Sequence, residues 1–101
     1  MNDLAEVFPP GEFLKDELVE RGWTQAGLAY IMGRPPKLVN EIINGKKQIT
    51  AETAVQLGQA LGTSAEFWLN VQARYQLFKA RPVDDAIAQR AASYRPAMAY
   101  A

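Results

Sequence analysis

The 101-residue chain has no cysteine and no histidine, and its formal charge is zero from 11 basic and 11 acidic residues. That length suits one domain with a single modest core, and the composition removes thiol nucleophiles, disulfides, imidazole bases and the usual zinc ligand sets, so neither catalysis nor a metal or cofactor is expected. No apolar run is long enough to span a bilayer, and the opening MNDLAEVFPP is acidic where a secretory signal is basic and then apolar, which points to the cytoplasm.

Glycine and proline punctuation divides the sequence into short helices, and the period-two alternation of a strand is absent, so the expected fold class is all-α. After Pro9-Pro10-Gly11, the segment EFLKDELVER puts Phe13, Leu14 and Leu18 on one side, carries acids early and Arg21 late, and stops at Gly22. Thr24 is placed to cap a second helix, QAGLAYIM, which turns Leu28, Ala29 and Met32 inward and ends at Gly33; Gly27 weakens it somewhat. Pro35 and Pro36 suit a cap and first turn, where a missing N–H costs nothing, and a third helix runs from them to Asn44 with Gly45 behind it.

Thr50 caps a fourth helix, AETAVQLGQAL, whose Ala54, Val55, Leu57 and Leu61 can face a core, and Gly62 ends it. Thr63 and Glu66 then stand at capping-box spacing, and an aromatic-rich fifth helix runs on to Pro82. The alanine-rich remainder is weakly patterned and reads as a marginal helix or a loose tail. The division expected is an N-terminal arm over 1–8, a helix-turn-helix domain with a dimerising fifth helix over 9–80, and a C-terminal tail over 81–101.

The third helix carries the chemistry. At about 100° per residue, Lys37, Asn40, Glu41 and Asn44 share one arc, and Leu38, Val39, Ile42 and Ile43 fall opposite. Lys, Asn and Glu are side chains that read guanine, adenine and the cytosine amino group in a major groove. Lys46 and Lys47 follow at the far end, where point charges meet phosphates without reading sequence. A polar face by itself is more often merely solvated. Here it follows a short helix and a tight turn in the proportions of a helix-turn-helix, with Gln25 positioned to donate to a phosphate just after Thr24. The charge distribution agrees. Residues 1–22 hold six acids against Lys15 and Arg21, whereas residues 23–50 hold Arg34, Lys37, Lys46 and Lys47 against Glu41 alone.

The fifth helix is apolar on two sides, with Phe67, Trp68, Val71, Tyr75 and Phe78 on one and Leu69, Ala73 and Leu77 on the other. Either the first and fourth helices cover both sides, or one side is left for a partner. Leu69, Ala73, Tyr75, Leu77 and Phe78 are the candidate dimer residues.

The segments PPGEFLKDEL and GWTQAGLAYIMGRPPKLVNEIINGKKQITAETAVQLGQALGTSAEFWLNVQARYQL together resemble the HigA-type antitoxins, a branch of the lambda-repressor-like (Cro/C1, XRE) helix-turn-helix proteins. NEIINGKKQITAETAVQLGQALGTSAEFWLN is the specific part. The resemblance spans residues 9–78 and implies a five-helix domain, a homodimer, a palindromic operator in double-stranded DNA at its own promoter, and neutralisation of a HigB/RelE-like toxin that cleaves messenger RNA. It implies phosphate contact by Gln25 and base contacts by Lys37, Asn40 and Glu41. Pro9 or Pro10 stands where family members often have histidine. Leu38 stands where they often have a polar residue, which argues against a base contact there.

Other functions stay in view. A stand-alone dimeric repressor shares the fold and the operator chemistry, and an interaction module without DNA affinity fits the zero net charge. An enzyme has only Asp16, Glu17 and Glu20 as dense carboxylates, and these read as a solvated face. The acidic first helix and the tail after Pro82 are both candidates for toxin contact; no membrane and no small-molecule substrate are expected.

Overall fold

The structure is a computed structural model that describes residues 7–81 and 85–96. Most of the N-terminal arm expected over 1–8, Pro82 as the breaker of the fifth helix, and the end of the tail lie outside the described residues. Six helices occur in chain order, α1 Pro10–Arg21, α2 Gln25–Met32, α3 Pro36–Ile43, α4 Ala51–Leu61, α5 Ala65–Ala80 and α6 Asp85–Ser93, and the described residues contain no strand.

The ends of these helices follow from local chemistry. Thr24, Thr50 and Ser64 each accept a hydrogen bond from the backbone N–H three residues on, which satisfies a donor that the first turn of a helix otherwise leaves unpaired. Gly22, Gly33 and Gly62 stop α1, α2 and α4 in the left-handed conformation, where a side chain is strained. One expected cap is corrected. Ser64, not Thr63, begins α5, because the Thr63 hydroxyl accepts the indole N–H of Trp68 at 2.8 Å instead. Trp68 is fully buried, and its polar edge needs that partner.

One core joins α1 to α5, built of Leu14 and Leu18, Leu28 and Ala29, Leu38, Val39 and Ile42, Ile49, Ala54, Leu57 and Leu61, and Trp68. Val55 is 47% exposed and belongs to the surface, contrary to the sequence expectation. The buried stripe of α4 is Ala54, Leu57, Gly58 and Leu61, and a residue one step from Ala54 is turned about 100° off that stripe. Edge-to-face contacts lead from Phe8 to Phe13, from Phe13 to Phe67 and from Phe67 to Trp68, with ring centroids 6.3, 6.0 and 5.0 Å apart. Arg21 ties the end of α1 to the end of α4 by donating to the Leu61 carbonyl at 2.7 Å while pairing with Glu17 at 3.1 Å. By contrast α6 contains no buried residue.

Gly11 is the tightest point of the assembly. A β-carbon there would lie 2.6 Å from the Ile42 carbonyl oxygen and closer still to that of Ile43, so the first turn of α1 rests directly on the last turn of α3. Alanine at this position gains about 1 kcal/mol in helix propensity. The clash is with backbone, which cannot rotate away, and overpacking of that kind costs roughly 1–3 kcal/mol or more. We therefore expect Gly11→Ala to lower the thermal midpoint by several degrees, at roughly 4–8 °C per kcal/mol for a domain of this size. A Tm equal to or above that of the wild type in a calorimetric scan would show that α1 shifts without cost.

Candidate nucleic-acid interface

The unit formed by α2, a three-residue turn and α3 is held rigidly from both ends. At the end of α2 the Gly33 N–H donates to the Tyr30 carbonyl at 3.1 Å and the Arg34 N–H to the Ala29 carbonyl at 2.9 Å, a turn that needs the positive φ of Gly33. Pro35 and Pro36 then start α3 with the dihedral angle already set. Leu38, Val39 and Ile42 anchor the inner face of α3 in the core, each contributing roughly 1.5–3 kcal/mol on burial. Leu38 is only 6% exposed, so it packs rather than presents a group to a ligand.

The outer face carries Lys37, Asn40 and Asn44 exposed and Glu41 half-buried. Three amides form a chain across it. Asn44 donates to Asn40 at 3.1 Å, and Asn40 donates to the side-chain oxygen of Gln25 at the start of α2, also at 3.1 Å. Because Gln25 accepts with its oxygen, its amide nitrogen is left to donate outward. Asn40 keeps one amide hydrogen and one lone pair in reserve, the pair of groups that matches an adenine edge. After Asn44, Gly45 turns the chain at φ 74°, and the N–H groups of Lys46 and Lys47 both donate to the Glu41 carbonyl, at 2.8 and 3.2 Å. Both lysine side chains are exposed at this exit.

Two more of the sequence-proposed residues have side-chain partners within the fold. The Thr24 hydroxyl caps α2 through the Gly27 N–H at 2.9 Å, and the Arg34 guanidinium donates to the Gln56 side chain of α4 at 2.8 Å, bracing the turn. The five candidate dimer residues are not brought together. Leu69, Ala73 and Leu77 lie exposed on one side of α5, whereas Tyr75 and Phe78 are half-buried on the side that faces the fold.

Gln72 was not singled out by the sequence reasoning. Its amide accepts from the Ile49 N–H at 2.5 Å and donates to the Ile49 carbonyl at 3.0 Å, which clamps the loop after α3 onto α5. The available signal was a polar residue on the same arc of the fifth helix as Trp68 and Tyr75, where only a residue with a specific partner belongs.

The helix-turn-helix family profile matches residues 14–68. Over 72 residues, covering 70% of this chain and 68% of the relative, the sequence is 43% identical to antitoxin HigA-1 of Vibrio cholerae. The chain belongs to the HigA family of helix-turn-helix antitoxins. Structural similarity agrees. The HigA-family addiction-module antidote protein of Coxiella burnetii superposes with a TM-score of 0.72 at 33% identity, covering 89% of this chain and 97% of that one. Antitoxin HigA of Pseudomonas aeruginosa, solved with the higBA promoter, superposes with a TM-score of 0.70 at 34% identity, covering 91% and 99%. HigA proteins are DNA-binding antitoxins rather than enzymes. Among the described residues, no group of His, Cys, Asp and Glu could hold a metal ion, and no helix is long and apolar enough to cross a membrane.

Replacing Gln72 by alanine would leave the Ile49 backbone groups without their partners. Ile49 is buried, so the expected cost is roughly 1–3 kcal/mol. Amide hydrogen exchange at Ile49 is expected to accelerate at least tenfold in Gln72→Ala while exchange within α1 changes less, and equal protection at Ile49 would disprove the clamp.

Proposed function

We propose that this protein is a homodimeric antitoxin that represses its own promoter by reading a palindromic operator with α3, and that it neutralises a RelE-like toxin that cleaves messenger RNA. The observation that carries the DNA reading is the division of α3, with its apolar side in the core and Lys37, Asn40 and Asn44 turned to solvent above the Lys46-Lys47 exit. Lys37, Asn40 and Glu41 then face base edges, and Gln25, Lys46 and Lys47 face phosphates, with Thr24 and Arg34 near enough to contribute. Zero net charge is no obstacle, because the acids gather before residue 23 and the bases around α3.

The free side of α5 supports the dimer. Leu69 and Leu77 are 36% and 54% exposed with Ala73 between them, an apolar stripe at helical spacing that a second copy can cover. A dimer through this stripe fixes the separation of two α3 helices, and the half-sites must then lie about 34 Å apart on one face of the duplex. Residues 9–80 thus carry both DNA binding and dimerisation, and the acidic face of α1 and the tail over 81–101 remain as the toxin-facing candidates. Work at its own promoter places the protein in the cytoplasm. The alternative, a stand-alone dimeric repressor, shares the fold and the operator chemistry and lacks only the toxin partner.

Co-expression of the tagged protein with the reading frames flanking its gene tests the antitoxin half. A small basic partner that copurifies in stoichiometric amount and stops growth when expressed alone is the expected outcome; tight promoter binding with no partner leaves a plain repressor. Lys37→Ala is expected to relax preference at one position of each half-site by roughly 1–3 kcal/mol, whereas Lys46→Ala lowers the salt dependence by about one unit of slope per protomer without altering base preference. Identical effects of the two on every operator variant would contradict these roles. Leu77→Asp is expected to yield a monomer by sedimentation, with operator affinity falling in step.

A further inference from the structure

One concave feature borders the exit of α3 and extends beyond these roles onto α5. It lies where the entry to α1 at Pro9–Gly11, the loop holding Lys47 and Gln48, and the later turns of α5 meet, and Gln72, Tyr75, Gln76 and Lys79 form its α5 wall. Its volume is about 130 Å³. Pockets for small organic ligands run to roughly 300–1,000 Å³, so this hollow suits a group the size of a few waters. The described residues that line it include two lysines, three glutamines and a tyrosine but no carboxylate. The one ion pair among the described residues is Arg21 with Glu17, so Lys47 and Lys79 have no acid partner there.

Lys47 and Lys79 line the hollow from different elements. The Lys79 ammonium stands 5.4 Å from the centroid of the Tyr75 ring, a cation–π contact that steadies a long side chain. The Gln72 amide fixes the loop of Lys47 to the same helix through both backbone groups of Ile49. The first turn of α1 adds the positive end of a 12-residue helix. A small, acid-free hollow with two unpaired cations and amide donors takes an oxyanion.

We propose that this hollow seats a backbone phosphate of the operator duplex, with Lys79 and Lys47 as its cationic contacts. The inference rests on the DNA reading above and extends it from the exit of α3 onto α5. It gives α5 two duties on opposite sides, phosphate contact through Tyr75 and Lys79 and self-association through Leu69 and Leu77. Tyr75 therefore acts on the DNA side and not in the dimer.

The test measures the slope of log binding constant against log salt on the protein's own promoter fragment for the wild type, Lys79→Gln, Lys79→Arg and Lys47→Gln/Lys79→Gln. Lys79 is exposed, so its variants retain the fold, and a thermal scan verifies this. Lys79→Gln is expected to flatten the slope by ~0.9 per protomer while preserving the rank order of operator variants. Lys79→Arg should keep the wild-type slope, and the double variant should lose about twice as much as Lys79→Gln. A wild-type slope in Lys79→Gln overturns the proposal while leaving DNA binding intact. Loss of a copurifying protein partner with that slope unchanged overturns it too, assigning the hollow to an acidic segment of that partner. A wild-type protein that binds no promoter fragment at any salt brings down the DNA reading itself, and this inference with it.

Discussion

The exposed polar side of α3 depends on the close contact between the first turn of α1 and the last turn of α3. An eight-residue helix has no stability of its own in water, so α3 exists because neighbouring elements bury one side of it. Leu38, Val39 and Ile42 supply the apolar part of that burial. The remaining contact is backbone against side-chain-free backbone at Gly11, which lets α1 lie directly on the carbonyls of Ile42 and Ile43. With α3 fixed from within and from its C-terminal end, its polar side becomes a rigid surface instead of a fluctuating one. Rigidity matters for base reading, because donors and acceptors held in place lose little further freedom on binding.

Polar ties complete what packing begins. The Gln25–Asn40–Asn44 chain orients amides across both helices of the motif, the Arg34–Gln56 contact braces the turn against α4, and Gln72 holds the exit loop to α5. Each of these ties reaches across a turn or between elements distant in sequence. Arg34 is the clearest case. It sits in a basic stretch, yet one of its nitrogens is committed to a glutamine 22 residues away.

The fifth helix shows how one element serves opposed needs. Its Trp68 side closes the core and, further along, carries Gln72, Tyr75 and Lys79 toward the α3 exit. Its Leu69–Leu77 side lies exposed among the described residues. Zero net charge is likewise compatible with HigA-family membership because opposite charges are segregated along the chain, acids on α1 and bases around α3. Net charge describes the whole surface, whereas a ligand meets only the local field.

Much of this was legible in the sequence, for reasons that are local. Helix ends were readable because Gly22, Gly33 and Gly62 adopt a conformation that other residues resist, and because Thr24 and Thr50 cap from within a few residues. The two sides of α3 followed from periodicity alone, and the HigA resemblance from the segment NEIINGKKQITAETAVQLGQALGTSAEFWLN. What the sequence by itself determined was therefore the all-helical class, the motif, the family and the polar residues offered by α3. The tertiary structure decided which of two adjacent hydroxyls caps α5, that Val55 faces outward, which side of α5 is exposed, and that Lys79 and Lys47 line one hollow. Those outcomes depend on what lies across a helix from a given residue, and periodicity specifies the direction in which a side chain points but not what it meets there.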